Sequence, residues 1–184
     1  MKEFFKSPKK TAILGLVGSV IMLISTFWAM NTYSIILNLY NFYIIGLVVY
    51  FIIILMRLYK QKGNIKVANY MLITMYILSI FGLVVSTIAE GESILYSFIN
   101  ILIFIVIILY FLNILLNKSN VINNNVFAII VVGLSAYQLI RFGTYIFGSK
   151  EVELYIISFC IKYIGYIAVV PYFYNYYKLL KEEK

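Results

Sequence analysis

The chain contains no histidine and no aspartate. That removes the commonest metal ligand and most general-base schemes. There is one cysteine, Cys160, so no intramolecular disulfide can form. It sits within an apolar run, where a thiol behaves as a small hydrophobe. Only 2 prolines and 10 glycines punctuate 184 residues, so little of the chain is loop. Charge is scarce too, at 12%, against about a quarter in a soluble domain. The few carboxylates, Glu90, Glu92, Glu151 and Glu153 among them, fall in polar breaks or at the termini. No nucleophile, base or metal constellation can be assembled, so an enzyme is not expected and no cofactor is implied.

What is present is apolar surface. The chain is 64% hydrophobic with a mean hydropathy of +0.97. A soluble chain of this size has too little interior to bury so much. Residues 11–56 carry no charge. At about 1.5 Å rise per residue that run is roughly twice as long as a bilayer core is thick. It must fold back, and Asn31-Thr32-Tyr33-Ser34 is its most polar point. Further uncharged runs follow at 67–89, 93–117 and 119–140. The expected spans are 11–30, 35–57, 67–88, 93–116, 125–147 and 153–177. Nothing alternates in polarity as a barrel strand does, and helices are the other spanning solution. The predicted fold class is an all-α integral membrane protein, a single domain of six transmembrane helices. Spans 2 and 4 share a leading serine (Ser34, Ser93) and an asparagine (Asn41, Asn100), which suggests three helical hairpins.

The net charge of +8 does not point to nucleic acid, because the cations lie in short clusters between apolar runs. One set of span ends holds twelve cations: Lys2, Lys6, Lys9, Lys10, Arg57, Lys60, Lys62, Lys66, Lys118, Lys178, Lys181 and Lys184. The opposite ends hold only Lys150. Basic residues stay inside, so the expected location is the cell membrane with both termini cytoplasmic. The first span lacks a small-x-small cleavage site and is expected to be retained.

Three features stand out along the spans. Ala12, Gly15, Gly18 and Ser19 put small residues on one part of span 1, where a second helix can approach closely. Packing within the chain is the preferred account, and docking of another membrane subunit is the alternative. Tyr172-Phe-Tyr-Asn-Tyr-Tyr-Lys after Pro171 reads as an interfacial aromatic belt. Finally, Arg141 and Lys162 are intramembrane cations at similar depth on adjacent spans. A charge in lipid costs about 3 kcal/mol or more, so such residues face a cavity, a partner or the headgroups. Polar residues gather in the same outer half: Asn38, Asn41, Tyr96, Ser97, Asn100, Gln138 and Tyr166. The inner halves of spans 2 and 4 read as nearly pure Ile, Leu, Val and Phe.

Two functions fit. One is a small transporter or membrane-embedded solute-binding subunit. Its outward-facing site would use Arg141, Lys162, Gln138, Asn100 and Tyr166 for an anionic or polar solute. The other is a non-transporting accessory protein for immunity, assembly or regulation, acting through helix contacts with another membrane protein or lipid. In length, six spans, cytoplasmic termini and outward-facing site, the architecture is similar to the substrate-binding subunits of energy-coupling-factor vitamin transporters. Ala12, Gly15 and Ser19 do not reproduce the alanine-rich docking pattern of their first helix, and the chain is assigned to no family on this likeness.

Overall fold

The computed structural model describes residues 7–30, 41–60, 63–90, 94–115, 160–162 and 164–173. Among them the secondary structure is helical and no strand occurs. The chain divides into two compact units, one of Met1–Ala29 with Asn124–Lys184 and one of Met30–Asn123.

In the first unit, helix α1 spans Pro8–Met30. Proline suits the first helical position, where its missing N–H has no partner to lose. One turn on, the Thr11 hydroxyl lies 3.1 Å from the Ser7 carbonyl and returns its hydrogen to the backbone. The second helix here, α5, is 164–173, preceded by helical residues 160–162.

Three helices build the second unit: α2 (Phe42–Leu58), α3 (Ile65–Glu90) and α4 (Ile94–Leu115). α2 begins without a side-chain cap from Asn41. A neighbouring helix caps it instead, because the Tyr43 N–H donates to Ser79 Oγ at 2.8 Å. The Ser79 hydroxyl in turn donates to the Met75 carbonyl at 2.9 Å. α2 ends in a tight reversal. The Tyr59 N–H donates to the Leu55 carbonyl and the Lys60 N–H to the Arg57 carbonyl. Lys60 takes φ 59°, the left-handed conformation that closes many helices. At Gly63 the returning chain lies so close to α2 that a Cβ would stand 2.5 Å from Ile53 O and 2.7 Å from Arg57 N. Only glycine fits there. Asn64 Oδ1 then accepts the Lys66 and Val67 N–H groups and caps α3.

The interior of this unit is aromatic. Tyr43, Tyr76 and Phe104, one from each helix, meet with ring centroids 5.2–5.5 Å apart. Tyr50 and Phe111 pack edge to face further along. Near the α3–α4 turn, Thr87 Oγ1 and Ser97 Oγ are 2.6 Å apart. Thr87 also bonds the Leu83 carbonyl at 2.7 Å. One hydroxyl hydrogen cannot serve both acceptors, so Ser97 donates to Thr87.

The helices expose apolar side chains and bury most of their small polar ones, while their interior is apolar as well. Along α3 the exposed stripe is Val67, Tyr70, Thr74, Ile77, Phe81, Val84 and Ile88, at helical spacing throughout. Its only aliphatic hydroxyl, Thr74, turns back onto the Tyr70 carbonyl. The buried side of the same helix holds Asn69 at 1% exposure and Ser79 and Ser86 at 0%. α1 repeats the pattern, exposing Ile13, Val17, Val20, Ile24 and Phe27 while burying Thr11, Gly15, Gly18, Ser19, Ser25 and Thr26. α4 exposes Leu95, Phe98, Leu102, Ile105 and Leu109 and buries Ser97 and Asn100. A surface helix in water does the reverse.

Two helical stretches, Pro8–Phe27 and Ile65–Ala89, are long and apolar enough to cross a membrane. Expected spans 11–30, 67–88 and 93–116 fall on α1, α3 and α4, and 35–57 overlaps α2. The Asn31–Ser34 bend and span 125–147 lie outside the described residues, as does most of 153–177. The C-terminal parts of α2 and α4, expected as nearly pure Ile, Leu, Val and Phe, also bury Tyr50 and Tyr110.

Candidate functional site

The site residues read from the sequence fall in different places. Gly15, Gly18 and Ser19 are all buried on one side of α1. Opposite Gly18 is α5. A Cβ on Gly18 would stand 2.6 Å from Gly165 O and 2.7 Å from the Ala168 Cβ. A Cβ on Gly165 would collide with the Met22 side chain. The two backbones therefore cross at a point that only glycine on both sides allows. The Ser19 hydroxyl is spent on its own helix, donating to the Leu16 carbonyl at 2.9 Å. Thr26 does the same to Met22 at 2.9 Å.

This crossing fixes the register of the two helices. Gly18 meets Gly165 and Ala168, while Met22 meets Gly165, so the helices run antiparallel. Lys162, in the helical residues that precede α5, lies three residues before Gly165, and on α5 Gly165, Val169 and Tyr172 are buried at helical spacing. Ser25 lies seven residues after Gly18 on the facing stripe of α1 and is buried. Lys162 and Ser25 therefore both lie beyond the crossing at the same end of this helix pair, less than one turn and about two turns from it respectively. Lys162 is half-buried, as is Tyr166 one turn along.

Asn100 belongs to the other unit and is 6% exposed on α4. Asn41, Ser79, Ser86 and Ser97 are buried in the same unit. Ser86 Oγ makes no hydrogen bond there. Arg141 and Gln138 lie outside the described residues. Chemically, the described residues provide a half-buried cation, Lys162, in one unit and a set of buried amides and hydroxyls in the other. Both are means of binding a polar or anionic group by hydrogen bonds. No protein-family model, no curated protein and no solved structure matches the chain.

Proposed function

We propose that the chain is a cell-membrane protein of six spans with both ends cytoplasmic. Exposed apolar stripes support the membrane placement, and the one-sided distribution of the cations along the sequence supports the topology. The α3 stripe from Val67 to Ile88 offers apolar side chains over about 32 Å, close to the thickness of a bilayer core. On that surface the Thr74 hydroxyl is bonded back to the Tyr70 carbonyl, while Asn69, Ser79 and Ser86 lie inside, as suits a surface where no water can hydrogen-bond polar groups. Reporter fusions at Gly63, Asn120 and the C-terminus should report cytoplasm, and fusions at Gly91 and Ser149 the exterior. One inverted reporter would overturn the topology.

Within that frame the role best supported is solute handling without chemistry. The protein is a small transporter or a membrane-embedded binding subunit for an anionic or polar solute, and it is not an enzyme. The observation that carries this is Lys162, a half-buried cation three residues before the close crossing at Gly165. A cation kept among packed helices rather than at a span end is there to meet a negative group. Arg141, Gln138, Asn100 and Tyr166 are the further residues of the proposed site. The alternative is an accessory protein that docks a separate subunit through the Gly15/Gly18/Ser19 face. It has less support, since Gly165 and Ala168 of the same chain already lie against Gly18.

The test is ligand-induced thermal stabilisation of the purified protein, read against acetate, lactate, inorganic phosphate and sulfate. At least one anion should raise Tm, and Lys162→Met should weaken its binding at least tenfold, equivalent to about 1.4 kcal/mol. If no anion shifts Tm, or the Met variant binds as wild type does, the solute-handling role falls.

A further inference from the structure

The α2–α3 connection carries positive charge only. No acidic residue occurs between Glu3 and Glu90. Arg57, Lys60 and Lys66 are all exposed. Their grouping is built by the backbone. The left-handed turn at Lys60 reverses the chain, and Gly63 presses it onto the Ile53–Arg57 turn. The first N–H groups of α3 are already taken by Asn64, so an anion arriving here meets side-chain cations rather than a bare helix terminus.

What lies beside the cations indicates which anion. The exposed apolar stripe of α2, Ile45, Ile52 and Met56, runs through Tyr59 directly into Lys60. The exposed stripe of α3 starts at Val67 and Tyr70, next to Lys66. Both surfaces that suit acyl chains therefore end at cations. A soluble phosphate or nucleotide would use the charges and leave these stripes without a role. An anionic phospholipid uses both.

We infer that the α2–α3 connection docks on anionic phospholipid, with Arg57, Lys60 and Lys66 holding headgroup phosphates and the adjoining stripes lying along acyl chains. This rests on the membrane placement proposed above and goes beyond it, since orientation by basic residues requires no retained lipid. A single cation near an anionic lipid surface strengthens binding about fivefold.

The test is native mass spectrometry of the full chain in mild detergent with equimolar phosphatidylglycerol and phosphatidylcholine. Wild type should retain phosphatidylglycerol at least tenfold over phosphatidylcholine. Arg57→Gln and Lys66→Gln should each lower that preference about fivefold, and the triple variant with Lys60→Gln should abolish it. The double variant Lys9→Gln, Lys10→Gln, whose cations are also exposed, should leave it unchanged. Excess inorganic phosphate should not displace the lipid. The inference is overturned if wild type retains both lipids equally, if the triple variant keeps its preference, if the Lys9/Lys10 variant loses as much, or if free phosphate displaces the lipid. Failure of the chain to enter lipid nanodiscs at all would overturn the membrane placement instead.

Discussion

Gly18→Leu should yield no folded protein. At this position the opposing backbone is 2.6 Å from where a Cβ would begin, and the Ala168 Cβ is 2.7 Å away. Neither can move without shifting α5 as a whole. Extra atoms in a packed interior usually cost about 1–3 kcal/mol. That range describes sites where side chains can give way. Here the obstruction is a carbonyl, so alanine should already reach the top of the range, and leucine should exceed it. The expected readout is an aggregated elution profile for Gly18→Leu and a clear fall in Tm for Gly18→Ala. Gly165→Ala should behave like Gly18→Ala. Together the two alanines should cost less than their sum, because the first already forces the helices apart. Wild-type Tm in Gly18→Leu would mean that the helices do not cross here.

Ser79→Ala should cost about 2 kcal/mol, far more than a serine hydroxyl is usually worth. Ser79 accepts the Tyr43 N–H, which lies in the first turn of α2 and has no partner within that helix. Alanine would remove the acceptor of this buried interhelical bond, and a loss of that kind costs about 1–3 kcal/mol. Thr74→Ala is the matched control. Thr74 and Ser79 each donate to the carbonyl four residues back, at 3.0 Å and 2.9 Å. Only Ser79 also caps another helix. Loss of the back-bond alone should change stability by less than about 0.5 kcal/mol at an exposed site. The measurement is the midpoint of reversible denaturation for both variants. Equal effects would show that the interhelical bond contributes nothing.

The positions of α1, α3 and α4 were legible because charge and polar turn residues are almost absent elsewhere. Asn64 and Gly63 mark the start of α3, and Gly91 falls between α3 and α4. The small-residue side of α1 was legible as a place of close approach. Its partner was not, because a glycine shows that something comes near without showing what. In sequence, Gly165 is only a residue one turn from Lys162. Its closest relation is to Gly18 and Met22, more than a hundred residues away in sequence. Ser79 and Asn69 were passed over for a similar reason. A lone serine or asparagine in an apolar run reads alike whether it caps a helix, bonds its own turn or meets a ligand. Lys162 could be found from sequence because a charge within a long apolar run is rare on any face. Arg141 and Gln138 rest on sequence alone.

The two-sided character of α3 has a consequence for the order of assembly. Its apolar residues are spread around the whole cylinder, with Leu72, Ile73 and Leu83 inside as well as Ile77, Phe81 and Val84 outside. Such a segment partitions into lipid by itself, without a partner to shield one face. Once inserted, its amide and hydroxyls at Asn69, Ser79 and Ser86 face hydrocarbon, where polar groups go unsolvated. Nothing apolar on α3 gains by leaving lipid for protein, because lipid tails are as apolar as leucine. The polar minority and the close packing of Tyr76 against Tyr43 and Phe104 therefore drive association. For α3, the residues that commit it to the membrane and the residues that choose its neighbours are two separate sets, acting in sequence.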